Sequence, residues 1–381
     1  MSLSLWLSLA AGLPLLVYLY VRANDAKLAR LPPAAAAHSP HRWTAQEAGF
    51  LGGWIVLHLL ARGEDPRRIR ILDIRRPVRQ DLLEGPAAEV NFCQVDISDA
   101  AAVEAAFRKP WPNTTLDGEP EPALTVFHTA AIIRFYERDP KLQEYSDRVN
   151  VQGTQNIVEA ARKVGAQTLV YTSSGSVSVR RSRFWLWPWE REPKFFVQKI
   201  GDDDAQVPTR HEDYFSNYAV SKRKAELLVR GADKSPSGEG VLRTGCIRPG
   251  NGIYGPGGDL LVDAYLLRKT NMTWISSIMQ SFIYVENCSL AHLRYEERLI
   301  DIERVHTANP DIGGQAFCVA DAGPPPTYGE IYRALTQLSN GECTFQDLSP
   351  TGMLGLATLV EAYYLARHAL LRAPAPPLRA R

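Results

Sequence analysis

Short apolar runs alternate with helical patterns through most of this chain, and no other feature of the sequence restricts the fold as much. The runs that predict strands lie at residues 70–72, 90–95, 124–128 and 168–172. The patterns that predict helices lie at residues 50–62, near Leu82, and at residues 100–107 and 149–164. Strands that alternate with helices form a parallel sheet, because each parallel connection crosses over through a helix. The sequence therefore predicts an α/β fold.

An apolar segment near the N-terminus predicts a membrane anchor. Residues 3–21 contain no charged side chain, and a helix of this length spans roughly 28 Å, about the thickness of the bilayer hydrocarbon core. Positive charges follow at Arg22, Lys27 and Arg30, which predicts a single-pass protein of the endoplasmic reticulum with a cytosolic catalytic domain. A cleaved signal peptide is the alternative. Residues 22–42, which include a Pro- and Ala-rich stretch, are predicted to be a linker without a strand.

Charge and cysteine content exclude several classes of protein. The 43 Lys and Arg residues nearly balance the 42 Asp and Glu residues, so the net charge of +1 offers no basic surface for nucleic acid. The five cysteines are scattered singly, with no CxxC pair. We therefore expect neither a metal site nor a disulfide framework.

The first motif that carries chemistry is a glycine-containing turn at the start of a predicted helix. Gly49 and Gly52 open this helix, and Asp73 follows about twenty residues later at the end of a predicted strand. Such glycines let the backbone approach a pyrophosphate, and the acid accepts hydrogen bonds from ribose hydroxyls. Asp96, after the next predicted strand, is placed to reach adenine. The alternative role of each acid is to cap the N-terminus of a helix.

A second motif places a phenol and an amine one helical turn apart. Tyr218 and Lys222 share one face of a predicted helix. A Lys ammonium beside a phenol favours the phenolate, and this brings a pKa that is ordinarily near ~10 closer to neutral pH. Tyr218 is therefore a candidate general base. The alternative is an ordinary pair on a surface helix.

Further segments accompany these two motifs in a fixed order. They are GFLGG at 49–53, LDIRRP at 72–77, VFHTAA at 126–131, NVQGTQNIVEAAR at 150–162, YTSS at 171–174, YAVSK at 218–222, IRPGNGIYGPGG at 247–258, FIYVEN at 282–287 and GQAFCVAD at 314–321. Over residues 48–345 the chain resembles the extended short-chain dehydrogenase/reductases. Within them it resembles the 3β-hydroxysteroid dehydrogenase/isomerases and the sterol-4-carboxylate 3-dehydrogenases.

The resemblance implies a Rossmann-type, doubly wound parallel sheet with a smaller C-terminal substrate-binding part, together spanning residues 43–345. It implies that Tyr218 is the general base, that Lys222 tunes it and binds the nicotinamide ribose, and that Ser174 donates a hydrogen bond to the substrate oxygen. Asn150 would support the active-site water and backbone, with helix capping as its alternative role. His128 is expected to be a packed core histidine.

The cofactor that the resemblance implies is NAD. The residues expected to bind it are Gly49, Phe50, Leu51, Gly52, Asp73, Asp96, Ile97, Thr129, Ala130, Ala131, Tyr218, Lys222, Pro249 and Ile253. Asp73 favours NAD because a carboxylate would repel the 2′-phosphate of NADP. Arg75 and Arg76 follow at once, and NADP sites use arginines in that loop, so NADP stays open. Pro249, Ile253 and Tyr254 would lie where the substrate-binding part meets the nicotinamide.

Two segments depart from generic members of the family. Residues 181–196 hold three Trp and three Phe among Arg and Glu. They are expected either to dip into a membrane interface or to pack as a lid on the protein's own core. Residues 346–372 are predicted to form an amphipathic helix that lies on the domain or on the membrane, and residues 373–381 a disordered tail.

The start of the fold departs most from the family pattern. Gln46 occupies the position of the first fingerprint glycine, and no apolar run precedes it. We therefore expect the central strand of the sheet to be missing or replaced. We also expect NAD to bind poorly, because a side chain would crowd the pyrophosphate turn. An error in the gene model and a real loss of cofactor binding both stay open.

The sequence thus predicts a membrane-anchored oxidoreductase that removes hydride from the 3β-hydroxyl of a lipophilic sterol or triterpenoid, in sterol or triterpenoid biosynthesis. A 4-carboxylated substrate would give a β-keto acid, which loses CO2 readily. One alternative is a 3β-hydroxy-Δ5-steroid dehydrogenase/isomerase, which needs a second acid or base. Another is a non-catalytic, membrane-tethered scaffold that has lost NAD. A homodimer is left open as the assembly.

Overall fold

A mostly parallel sheet of eight strands forms the centre of the fold. The computed structural model describes residue 19 and residues 41–46, 49–112, 123–185, 187–189, 194–304 and 309–372. Its strands are β1 His41–Gln46, β2 Ile69–Asp73, β3 Asn91–Gln94, β4 Ala123–His128, β5 Thr168–Thr172, β6 Ser235–Ser237, β7 Gly240–Pro249, β8 Ile253–Tyr254, β9 Thr270–Thr273, β10 Ile283–Tyr284, β11 Ala316–Val319 and β12 Thr344–Asp347. Its helices are α1 Phe50–Ala61, α2 Ala100–Arg108, α3 Gln143–Asp147, α4 Thr154–Lys163, α5 Asn217–Gly231, α6 Val262–Arg268, α7 Val285–Arg304, α8 Tyr328–Leu338 and α9 Pro350–Arg372.

The strand order confirms the predicted doubly wound sheet. The order is β3-β2-β1-β4-β5-β7-β11, and the short β6 pairs antiparallel with β7. The chain runs outward from β1 in one direction through β3, and then returns to the other side of β1 at β4. In open α/β sheets a ligand binds at the carboxyl ends of the strands where this order reverses. The fold therefore places the candidate site above the ends of β1 and β4.

The central strand is present, so the prediction that it is missing or replaced is wrong. β1 begins at His41, inside the predicted linker, and pairs in parallel with both β2 and β4. Thr44, for example, stands opposite Arg70 on one side and Val126 on the other. Tertiary pairing outweighs the weak apolar pattern of this segment, since β-propensity depends strongly on context.

Helices cover both faces of the sheet and enclose two hydrophobic cores. One core joins residues of α2, α4 and α5 to one face, and the other joins α1 and α7 to the opposite face. All residues of β5 are buried, and so are four of the five residues of β2. Burial on both faces explains why these strands are apolar runs in the sequence.

Most predicted elements lie where the sequence placed them. Two differ in kind. The helix predicted near Leu82 is a single 3-10 turn, Gln80–Leu82. The long helix predicted for 149–164 begins as a π-helical segment, Arg148–Gly153, which continues into α4. A π segment inside a helix often marks a functional site, because it re-aims the side chains that it carries.

The C-terminal third adds smaller elements beside the main sheet. β8 pairs with β10, and β9 pairs with β12, in two separate two-stranded parallel sheets. The last helix, α9, covers most of the segment predicted to be amphipathic. The predicted anchor at 3–21, apart from Leu19, and the predicted tail at 373–381 lie outside the described residues. In the part of the chain that is described, no helix combines the length and the apolar character needed to span a bilayer.

Candidate active site

The candidate site begins at the carboxyl end of β5. This strand ends at Thr172, and the next two residues are Ser173 and Ser174. Ser174 caps the 3-10 turn Gly175–Ser178, because its Oγ accepts a hydrogen bond from the Ser176 backbone N–H at 3.2 Å. The two hydroxyls of Ser174 and Ser176 also lie 2.8 Å apart. The turn therefore fixes the Ser174 hydroxyl at the edge of the sheet.

Helix α5 carries the tyrosine and the lysine of the second motif. Ser216 caps its first turn through a hydrogen bond from the Ala219 N–H at 3.3 Å. Lys222 is fully buried, and its Nζ donates to the Thr172 carbonyl at 2.5 Å. The same ammonium lies 4.3 Å from the centre of the Tyr171 ring. These contacts hold the positive charge of Lys222 under the end of β5, one helical turn from Tyr218.

A single cavity of about 630 Å³ joins the predicted catalytic and cofactor residues. Ser174, Tyr218 and Lys222 line it together with six of the other residues predicted for the cofactor: Phe50, Leu51, Thr129, Ala131, Pro249 and Ile253. The rest of the wall is mainly apolar, with Ile133, Phe135, Val179, Phe215, Leu260, Leu261 and Tyr328. Its polar residues are Thr172, Ser173, Ser176, Asn251 and Gln280. The volume and the apolar character are typical of a site for a small lipophilic ligand, for which roughly 300 to 1,000 Å³ is usual.

Asn150 holds the backbone near the site and is not among the residues that line the cavity. Its Nδ2 donates to the Ile132 carbonyl at 3.0 Å, and its Oδ1 accepts from the Ile132 N–H at 2.8 Å. Nδ2 also lies 2.9 Å from Ser221 Oγ on α5. Asn150 sits in the π-helical segment, so the irregular turn aims this amide at the loop that follows β4.

The described residues fit a bound dinucleotide on both sides of the point where the strand order reverses. Gly49 directly precedes α1, and Leu51 in its first turn is buried against the cavity. Thr129 and Ala131 follow β4 and face the same cavity. A helix N-terminus at this place attracts the pyrophosphate through its unpaired N–H groups and its dipole. Glu47 and Ala48 of the turn lie outside the described residues.

The two predicted acids end neighbouring strands. Asp73 ends β2, and its Oδ1 accepts from the Arg75 N–H at 2.8 Å. Asp96 follows β3, and its Oδ1 accepts from the Ser98 N–H at 2.9 Å. The N-cap of α2 is Asp99, so capping is not the role of Asp96.

Other predicted residues lie beside the cavity. Ile97 is buried and would meet any Cβ added at Gly153. Gly52 is buried in the first turn of α1, and Ala130 packs beside the hydrophobic core. Tyr254 donates to Asp321 at 2.9 Å.

Two buried histidines support the site from below. His128 is fully buried; burial, together with the charge of Lys222, lowers its pKa to about 3, and its Nε2 lies 2.8 Å from Thr154 Oγ1. This confirms that it is a packed core residue. His292 on α7 lies 2.7 Å from Thr172 Oγ1, and burial lowers its pKa to about 4. Both imidazoles are therefore neutral at physiological pH.

Sequence reasoning missed a buried ion pair beside Ser173, the neighbour of Ser174. Arg248 and Glu226 are both fully buried, and Arg248 Nε donates to Glu226 Oε2 at 2.9 Å. Ser173 Oγ donates to the same carboxylate at 2.6 Å. Burial works to raise the pKa of Glu226, but hydrogen bonds from Arg248 outweigh it and the pKa is lowered. One signal was available: Glu226 follows Lys222 by one helical turn, so both must face the sheet.

Known proteins are similar to this chain over most of its length. The pattern of the 3-beta hydroxysteroid dehydrogenase/isomerase family matches residues 46–342. The mouse protein 3 beta-hydroxysteroid dehydrogenase type 7 is 28% identical over 289 residues, which cover 74% of this chain and 69% of the relative. An Arabidopsis thaliana protein, 3beta-hydroxysteroid-dehydrogenase/decarboxylase isoform 2, is 28% identical over 350 residues, or 86% of this chain and 53% of the relative.

A solved structure supports the fold. The UDP-glucose 4-epimerase of Thermotoga maritima superposes with a TM-score of 0.58 at 16% identity, covering 81% of this chain and 86% of the epimerase. At this identity the likeness concerns the fold alone.

Proposed function

Because the chain belongs to the 3-beta hydroxysteroid dehydrogenase/isomerase family, we propose that it oxidises the 3β-hydroxyl of a sterol or related triterpenoid with NAD. One observation carries the proposal. Ser174, Tyr218 and Lys222 face a single cavity whose remaining wall is mainly apolar. A secondary alcohol on a rigid, lipophilic ring system matches that combination of a polar end and an apolar body.

The three polar residues divide the chemistry of alcohol oxidation. Tyr218 takes the hydroxyl proton of the substrate, and Ser174 donates a hydrogen bond to the same oxygen. The buried positive charge of Lys222 favours the phenolate form of Tyr218. Thr172 and Tyr171 hold that charge in place from the end of β5. NAD, when bound, accepts the hydride from the carbinol carbon.

Asp73 supports NAD rather than NADP as the partner in this reaction. Its carboxylate ends β2, where the ribose of a dinucleotide binds in this type of fold. A negative charge there repels a 2′-phosphate. Arg75 and Arg76 are the residues that favour NADP in the sequence, and both are exposed.

The finer proposal is that the substrate carries a carboxylate at C-4, as the name of the Arabidopsis relative suggests. Oxidation at C-3 then gives a β-keto acid, whose new ketone stabilises the carbanion formed as CO2 leaves. The second step requires no further catalytic residue. Isomerisation would require a second acid or base. Among the described residues that line the cavity, none is an Asp, a Glu or a His. The second phenol, Tyr328, stays protonated at neutral pH and cannot accept a proton, because burial raises its pKa to about 12.

Product analysis tests this function. The purified full chain would be supplied with NAD and either a 3β-hydroxysterol or its 4-carboxy derivative, and NADH, CO2 and the sterol product would be measured. We expect NADH from both substrates and CO2 in equal amount to NADH from the carboxylated one. A conjugated Δ4 ketone formed from a Δ5 substrate would support the isomerase instead. NADH from neither substrate would contradict the proposal.

We also propose that residues 3–21 anchor the protein in the endoplasmic reticulum with the catalytic domain in the cytosol. The uncharged run and the basic residues behind it support this topology. The test uses the acceptor triplets at Asn113, Asn271 and Asn287, which must stay unglycosylated in this orientation. Glycosylation of any of them in intact cells would overturn the topology. Release of the protein by carbonate would overturn the membrane span.

A further inference from the structure

Helix α9 contacts the domain through polar side chains on one face. They are Glu361, Tyr364 and His368, whose spacing of three and four residues places them on one side of the helix. Arg138 Nε donates to Glu361 Oε1 at 3.2 Å, and Arg134 donates to the Tyr364 hydroxyl at 3.2 Å. An ordinary surface helix turns its apolar face to the domain. The docked face of α9 instead mixes these polar contacts with the half-buried Leu354 and Leu365.

The opposite face of α9 is apolar and exposed. Its members are Leu356, Leu359, Tyr363 and Leu370. Their spacing of three, four and seven residues forms one stripe of roughly 20 Å along the helix. Leu359 is 70% exposed and Leu370 is 77% exposed. A stripe of this length on the outward face indicates that an apolar surface covers it.

This helix lies beside the mouth of the catalytic cavity. Ile133 and Phe135 line the cavity and are also exposed. Arg134, which lies between them in the chain, is the residue that binds Tyr364 of α9. Helix α9 and the apolar mouth are therefore neighbouring parts of the surface.

The aromatic segment, which is the Trp- and Phe-rich stretch within residues 181–196, flanks the same mouth. It follows Val179, which lines the cavity, and its Arg181 N–H donates to the Asp213 carbonyl at 2.8 Å. Phe215, two residues after Asp213, lines the cavity as well. The side chains that this segment exposes are Phe184, Trp185, Trp187, Trp189, Phe195 and Phe196. The aromatic rings thus face outward, and the alternative of a lid packed on the core does not describe them.

We propose that these three parts form one rim that docks on a phospholipid bilayer and lets a lipophilic substrate enter the cavity from the membrane. The rim consists of the α9 stripe, the mouth residues Ile133 and Phe135, and the exposed rings of residues 184, 185, 187, 189, 195 and 196. The role of the rim in substrate entry rests on the proposed sterol substrate. The docking of the rim on a bilayer does not depend on that substrate.

Three features select a bilayer as the occupant. Trp and Tyr favour the interface between headgroups and acyl chains, and leucines of the stripe reach the acyl chains below it. Residues 180–200 contain six Lys or Arg and two Glu, which complements anionic headgroups. The predicted anchor at 3–21 would keep the domain at a membrane surface. A second copy of the chain would match the leucines but not the basic aromatic segment.

A tryptophan reporter tests the docking. The full chain with Leu359→Trp would be placed in phosphatidylcholine and phosphatidylserine vesicles whose acyl chains carry bromine, a quencher of Trp emission. The matched control is Leu290→Trp, an exposed leucine on α7 in the opposite helical layer. We expect the added emission of Leu359→Trp to be lost and that of Leu290→Trp to be retained. Equal emission from both reporters would overturn the proposal, provided that both variants keep the thermal stability of the native chain.

The oligomeric state of the chain provides a second test of the proposal. If the native chain is a dimer in mild detergent and Leu359→Glu makes it a monomer, the stripe is an interface between copies and the proposal is overturned. An unchanged oligomeric state together with weaker quenching of Trp187 and Trp189 supports it. Neither readout uses NAD or a sterol. An inactive protein that still docks would therefore contradict the proposed function alone, and an active protein that does not dock would contradict only the rim.

Discussion

At the scale of single residues, the site depends on how a positive charge is kept inside the protein. Lys222 is buried, yet its ammonium has a carbonyl partner in Thr172 and an aromatic face in Tyr171. Such contacts offset much of the cost of removing a charge from water. The charge then acts on Tyr218, one helical turn away, in a cavity whose wall is mainly apolar.

Replacing Tyr218 by Phe tests the assignment of the general base. The variant keeps the ring and loses the group that takes the proton, so turnover should fall by about 10² to 10⁴. The affinity for NAD and the melting temperature should change little, because Lys222 and the fold remain. Steady-state kinetics and NAD titration measure both quantities. Near-native turnover would show that Tyr218 is a structural residue.

The burial of His292 as a neutral imidazole makes the stability of the protein depend on pH. In the neutral ring, Nδ1–H donates to the Cys288 carbonyl and Nε2 accepts from the Thr172 hydroxyl. Burial lowers the pKa of His292 from 6.5 to about 4. The stabilising contribution is therefore complete above pH 6.5 and is lost as the pH falls from 6.5 through about 4.

Denaturant unfolding across that pH range checks this contribution. A shift of this size corresponds to at most about 3 kcal/mol, and His128 adds a loss of the same sign. His292→Asn should have a lower unfolding free energy at neutral pH and a shallower decline toward pH 4. Parallel curves for the native chain and the variant would contradict the role of His292.

At the scale of elements, β1 and the buried ion pair show what the sequence could and could not predict. The strands β4 and β5 are apolar runs because both of their faces are buried, so composition reveals them. β1 contains His41, Arg42 and Gln46, and only its pairing with β2 and β4 makes it a strand. Local patterns cannot report a partner that lies more than twenty residues away. For the same reason the sequence did not reveal the pair of Glu226 and Arg248, since Glu226 belongs to α5 and Arg248 belongs to β7.

A proline at Thr44 tests the place of β1 in the sheet. Thr44 lies between β2 and β4, so Thr44→Pro removes a ladder hydrogen bond in the centre of the sheet and strains the strand. We expect the free energy of unfolding to fall by about 3 kcal/mol or more. Thr44→Val, which keeps the N–H and the branched side chain, is the control and should unfold like the native chain. If both variants have native stability, β1 is not part of the sheet.

The ion pair behind Ser173 predicts a second large effect on stability. Breaking a buried pair typically costs about 3 to 5 kcal/mol, and we expect Glu226→Ala to lie at the low end of that range because Arg248 keeps Asp204 as a carboxylate partner at 2.7 Å. Glu226→Ala combined with Arg248→Met removes both charges and should lose less stability than the sum of the two single variants. A double-mutant cycle of unfolding free energies measures the coupling. Additive losses would show that the two charges do not stabilise each other.

At the scale of the whole molecule, a doubly wound sheet brings residues from distant parts of the chain to one edge. The first turn of α1 meets Ser174, Tyr218 and Lys222 there, because parallel strands present all their carboxyl ends on the same side. The sequence predicted this meeting through its ordered motifs. It did not predict the outward apolar stripe of α9, since the face that a helix turns to its domain depends on contacts such as that between Arg138 and Glu361.

The central claim is that hydride leaves C-3 of the substrate with Tyr218 as the base. The most direct measurement uses a 3β-hydroxysterol with deuterium on C-3 and follows the label into the cofactor by mass spectrometry. The native chain should transfer one deuterium to NAD for each ketone formed, and Tyr218→Phe should transfer almost none in the same time. Ketone formed without label in the cofactor, or equal transfer by the variant, would contradict the account.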